Sequence, residues 1–194
     1  MGLGNGPDEW TAYEWVRLAD LPPEPVEPLA EALLDWLADH PVWDGDEEDG
    51  AGSERVLLVD LDNLRAGPQR WRVRMAAVVA LARQADHAFL AGQVGAVRRA
   101  QPYLAELADD AQVVPDGSDL ADFALLDAVE GLGALPTQVV VISNDGIFAQ
   151  LAEQGRLTVI SPGRDALSSR LLEAAAQVID LDALERAAAV GVSA

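Results

Sequence analysis

From Arg55 onward the chain alternates short apolar runs with longer helical ones, and no other feature restricts its fold as much. The strand candidates are residues 56–60, 87–90, 112–114, 138–142, 157–160 and 178–180. Helical spacing of apolar residues marks 72–84, 94–107, 121–132, 147–153, 167–175 and 181–189 between and after them. Runs such as Val56-Leu57-Leu58-Val59 and Val139-Val140-Val141-Ile142 are apolar at every position rather than at every second one. A strand reads this way when both of its faces are covered, and intervening helices supply the crossovers that parallel strands require. The expected fold is therefore α/β, a three-layer sandwich with a mostly parallel sheet.

The first 52 residues read differently. They hold 14 Asp or Glu against the single Arg17, a net of −13. Residues 53–194 hold 19 acids and 12 Arg, a net of −7, and the two parts sum to the −20 of the whole. Residues 8–20 suggest a short helix ended by Pro22 and Pro23, and residues 28–39 a better one, with Leu29, Leu33, Trp36 and Leu37 on one face. The acidic, glycine-rich run 44–53 has nothing to bury and reads as a solvated linker. As a calcium loop it fails, because Arg55 stands where the closing Glu belongs. The expected organisation is an acidic N-terminal extension over 1–52 and one domain over 53–194.

Composition removes whole classes of function. The chain has no Cys, so disulfides and thiol chemistry are excluded, and its two His, His40 and His87, leave little room for a His-based metal site. No apolar run is long enough to span a membrane, and residues 1–6 lack the start of a secretory signal, so the expected location is cytoplasmic. A net charge of −20 disfavours non-specific nucleic-acid binding, which rests on neutralised phosphates. Any such contact needs a local Arg cluster or bound cations.

In open α/β sheets, sites lie beyond the carboxyl ends of the strands. The polar residues there are Asp60, Asp62 and Asn63 after the first strand, Asp119 and Asp122 after the third, and Asp145 after the fourth. Each alone has a structural reading as a cap or a turn residue. Together they bring carboxylate and amide oxygens to one edge, a donor set suited to a hard cation, Mg²⁺ or Mn²⁺.

Three segments carry a resemblance: Val56-Leu57-Leu58-Val59-Asp60-Leu61-Asp62-Asn63-Leu64, Gly117-Ser118-Asp119-Leu120-Ala121-Asp122-Phe123, and Val140-Val141-Ile142-Ser143-Asn144-Asp145-Gly146-Ile147-Phe148. In this order they resemble the NYN domain of the PIN-like nuclease superfamily. The resemblance implies a PIN-like parallel sheet and a Mg²⁺- or Mn²⁺-dependent ribonuclease. Asp60, Asp122 and Asp145 match the family's metal-binding acids and Asn63 the Asn that follows the first of them, with Asp62 and Asp119 as possible additional ligands. Many members carry a further acid where this chain has Ile147, so the acidic set is incomplete at that position.

For RNA, Arg65 and Arg70 are the foremost candidates, with Arg164 after the fifth strand at the same sheet edge; Arg72 and Arg74 rank below Arg65 and Arg70, and Arg55, Arg98, Arg99 and Arg170 are further candidates. Arg forks suit phosphate oxygens, and Trp71 could stack on a base, although core packing is its ordinary role. Trp10, Trp15, Trp36 and Trp43 place four of five Trp in the acidic extension, where they suit packing on the domain or docking of a protein partner. The expected activity is hydrolysis of RNA phosphodiester bonds by metal-activated water. Two alternatives stay open. One is a haloacid-dehalogenase-like phosphatase built on Asp60 and Asp62, against which the absence of Lys counts; the other is a PIN-like binding module whose site has decayed.

Overall fold

A computed structural model describes residues 26–43, 54–133 and 135–191. Its elements run α1 (Glu27–Asp39), β1 (Arg55–Asp60), α2 (Pro68–Ala82), β2 (His87–Gln93), α3 (Val94–Ala100), β3 (Gln112–Val114), α4 (Leu120–Glu130) and β4 (Gln138–Ile142). There follow a 3₁₀ segment over Gly146–Glu153, β5 (Arg156–Ser161), α5 (Ser169–Ala174), β6 (Gln177–Asp180) and α6 (Leu181–Gly191). The expected features at 8–20 and 44–53, with Trp10 and Trp15, lie outside the described residues.

The six strands form one sheet, all parallel, in the order β3-β2-β1-β4-β5-β6. Strand residues alternate between two helical layers, as the period of two requires. Leu57 and Val59 of β1 join α1, α2, α3 and α6 in one core, while Val56 and Leu58 join α4, α5 and the 3₁₀ segment in the other. The fold is a three-layer α/β sandwich. Its strand order reverses at β1, so the crevice beyond the carboxyl ends of β1 and β4 is the topological switch point.

Helix α1 completes the first of these cores rather than standing apart from it. Pro28 sits in its first turn, and Ala30, Leu33 and Leu37 are buried against α2 and α6, joined by Val42 and Trp43. The helix stops at His40, whose N–H donates to the Trp36 carbonyl and whose ring stacks on Trp36 at 4.2 Å, because Pro41 cannot continue it.

Two predicted helices are shorter or tighter than their apolar spacing suggests. The run 94–107 is helical only through Ala100 and then breaks into 3₁₀ turns at Gln101–Tyr103 and Ala105–Leu107. Pro102 brings no N–H to the ladder, and Ala105 takes a positive φ of 48°. The segment after Asp145 is 3₁₀ throughout, with backbone packed close to the next loop: a Cβ on Gly146 would meet Ser168 Oγ at 2.5 Å. Helix α2 begins at Pro68, four residues before the expected start, since proline is at home in a first turn.

Candidate metal centre

β1 delivers Asp60 to the switch point, buried at 2% exposure. Its carboxylate is fully engaged. Oδ1 accepts the backbone N–H of Asp62 at 3.0 Å and of Asn63 at 3.4 Å; Oδ2 accepts Ser143 Oγ at 3.1 Å and the Asn63 side-chain amide. Burial pushes the Asp60 carboxyl up from its ordinary value, and these donors oppose the shift without cancelling it.

The other acids arrive from α4 and β4. Asp119 precedes α4 in the left-handed conformation, φ 62°, a region that Asp tolerates better than most residues. One turn of helix then brings Asp122 to the same point. Asp145 follows β4, where its Oδ1 accepts the N–H of Ile147 at 2.9 Å and its own N–H donates to Ser143 Oγ. One carboxylate oxygen from each of Asp119, Asp122 and Asp145 lies within 4.8 Å of the others. Asp122 is buried, and its Oδ1 has no hydrogen-bond partner. Its pKa is pushed up to about 7, first by burial, then by the charges of Asp60, Asp145 and Asp119, with its contact to Asp60 adding to the shift.

This geometry fits a hard cation. Oxygen ligands roughly 2.0–2.6 Å from one ion span up to about 4–5 Å across it, the spread found here. The donors are all carboxylate oxygens, and among the three acids Asp122 holds a buried oxygen without a hydrogen-bond partner. Asp122 and Asp145 therefore stand where the sequence placed them, and Asp119 joins them in full. Asp60 touches Asp122 but is not one of the three, its oxygens occupied by Asp62, Asn63 and Ser143. Asp62 is not one of the three: its Oδ2 accepts the N–H of Gln93 at 2.8 Å, and its Oδ1, buried without a hydrogen-bond partner, lies 3.6 Å from Arg65. It holds the end of β2 to the β1 loop.

The arginines divide the same way. Arg70, half-exposed, is paired with Asp182 and, at 2.7 Å, with Glu185. Arg74 is buried. Its fork donates to the carbonyls of Leu64 and Arg65 at 3.2 Å and of Pro162 at 3.1 Å, and its Nε to Glu185 at 2.7 Å. Arg99 lies over the buried Trp71 ring at 4.3 Å and donates to the Ala66 carbonyl, so both residues are structural. Arg55 opens β1 and thus stands at the opposite edge of the sheet. Arg65, whose side chain is 73% exposed, and the exposed Arg164 and Arg170 remain on the carboxyl-edge side.

The supporting hydroxyls and amide were not singled out from sequence. Ser143 joins Asp60 to the Asp145 backbone, Ser161 Oγ donates to Asn144 Oδ1 at 2.7 Å, and Asn144 Nδ2 donates to the Gly163 carbonyl. Their signal was a polar residue directly after a fully apolar strand, where a buried hydroxyl must find a partner.

Fold and site together define an α/β protein with an acidic, histidine-free cluster at the switch point of a parallel sheet. No family model and no curated protein matches the chain. Two solved chains match. One is the crystal structure of a protein of unknown function from Vibrio parahaemolyticus, similar at 18% identity and a TM-score of 0.47, covering 70% of this chain and 98% of that one.

Proposed function

We propose that this protein is a divalent-metal-dependent ribonuclease of the NYN type. The observation that carries the reading is the convergence of Asp119, Asp122 and Asp145, with a buried, unpartnered oxygen on Asp122. Carboxylates this close repel one another, most strongly at the buried Asp122, and a cation relieves the repulsion. Asp119, Asp122 and Asp145 would hold Mg²⁺ or Mn²⁺. The chemistry such an ion supplies is Lewis acidity toward phosphoryl oxygen and activation of water at neutral pH.

The rest falls to the chain's own groups. Asp60 fixes Asn63 through its backbone and side-chain amides and keeps negative charge behind Asp122. Ser143 ties the ends of β1 and β4 together, which sets the distance between Asp60 and Asp145. Arg65 and Arg164 are the exposed cations offered to RNA phosphates, Arg65 being steadied by Asp62. A phosphatase that uses Asp60 as nucleophile needs a free carboxylate oxygen, and both oxygens of Asp60 are engaged.

The test is purified protein with mixed RNA in Mn²⁺ or in EDTA, beside an Asp122→Asn variant prepared identically. Cleavage should require Mn²⁺ and fall at least about a hundredfold in the variant. Cleavage indifferent to EDTA and to the substitution would overturn the proposal. Metal-responsive melting without cleavage would leave a binding module in its place.

A further inference from the structure

Beside the acidic cluster an open groove of about 470 Å³ runs between the end of β3 and one face of α4. The two share a helix: Asp119 and Asp122 hold the cluster side, while Leu120, Phe123, Ala124 and Asp127 line the groove. Phe123 and Asp127 are four residues apart, so their side chains are neighbours on that face. Ala124 beside them leaves room for a flat ring. Phe123 is 52% exposed, unusual for a phenyl ring. Gln112 and Val114 of the edge strand form the facing wall.

We infer that this groove is a base subsite selective for guanine, placed next to the phosphate that the acidic cluster would engage; the inference rests on the ribonuclease reading. A phenyl face offers stacking to any base, so Phe123 contributes affinity without selectivity. Asp127 contributes the selectivity. A carboxylate accepts hydrogen bonds and donates none. Guanine alone among the four bases presents two adjacent donors, N1–H and the N2 amino group, that a carboxylate can accept together. Adenine and cytosine offer one amino group and uracil one imino group, each beside an acceptor that a carboxylate repels. Asp116, Asp119 and Asp127 around the groove repel a phosphate but not an uncharged base. The metal-free protein should therefore bind guanosine more tightly than its 5′-phosphate.

The experiment titrates the full chain in EDTA with guanosine, adenosine, cytidine and uridine, followed by NMR shifts and calorimetry, and repeats it with Phe123→Ala and Asp127→Asn. Both side chains are exposed, so neither change disturbs the core. Guanosine should bind at least about tenfold tighter than the other three. Phe123→Ala should weaken all four, and Asp127→Asn should erase the preference. Equal binding of all four, binding of none, or a preference that survives Asp127→Asn would overturn the inference. So would groove shifts that grow with protein concentration alone, which would assign the face to a second copy. Guanosine selectivity without RNA cleavage would remove the ribonuclease reading and leave the base subsite; Mn²⁺-dependent cleavage with no selectivity would do the reverse.

Discussion

Asp122 concentrates the electrostatics of the site in one side chain. Its carboxyl is raised from 3.8 to about 7, so the folded state holds the proton more tightly than the unfolded chain does. This group's contribution to stability is thus present in full below its unfolded value and is lost as pH rises through about 7. Each unit of difference is worth about 1.4 kcal/mol. In EDTA, the melting temperature of the wild type relative to Asp122→Asn should fall between pH 5 and pH 8, because the variant lacks the titration. A constant difference across that range would place Asp122 in water. Arg74 is the second residue of consequence. It ties the β1–α2 loop, the loop after β5 and α6 through one guanidinium. Arg74→Ala leaves three carbonyls without their donor and Glu185 with Arg70 alone, and should cost at least about 1–3 kcal/mol in urea unfolding. Arg74→Lys keeps the charge but not the fork, and should recover only part of that loss.

Among the elements, α1 carries the most information about organisation. It comes from the acidic N-terminal segment, yet Leu33 and Leu37 sit in the same core as α2 and α6. Leu33 is fully buried, so Leu33→Ala should cost about 2–5 kcal/mol. A chain beginning at Ser53 exposes the faces of α2 and α6 that α1 covers. It should melt well below the full-length protein or aggregate, as thermal scans and light scattering would show. An unchanged melting temperature would mean that α1 adds nothing to the domain. Strand β3 is the opposite case: three residues long, at the sheet edge, with Val113 54% exposed. A short edge strand limits pairing with other chains, and its carboxyl end helps shape the groove beside α4.

At the scale of the whole molecule, metal should act as a stabilising ligand. An ion bound only by the folded form adds about 2.7 kcal/mol at a hundredfold excess over its dissociation constant. Protons compete for Asp122 below about pH 7, so Mn²⁺ should raise the melting temperature more at pH 7.5 than at pH 5.5. Asp122→Asn should abolish most of the response. Melting curves indifferent to millimolar metal in both proteins would reduce these acids to caps and turns. With a net charge of −20, RNA binding should also depend more on the divalent ion than on the few exposed arginines. Among the described residues no helix is long and apolar enough to cross a membrane.

The layered fold was legible in the chain because a strand covered on both faces must be apolar at consecutive positions. Runs such as Val139-Val140-Val141-Ile142 declare a buried parallel sheet without any long-range information. That polar residues following such strands gather at one edge follows from the same rule, which is why Asp60, Asp122 and Asp145 could be named together. Which of them faces a common point could not be read, since it depends on distances across β1, β4 and α4. Only the folded chain brings Asp119, itself in the left-handed conformation, beside Asp122 and Asp145, ties Asp60 to Asn63 and Ser143, and joins Asp62 to Gln93. Arg65, Arg70 and Arg74 are equivalent cations in sequence. Tertiary contacts alone separate an exposed side chain from an ion pair with α6 and from a buried clamp, because the partners that claim a charge can lie more than 100 residues away.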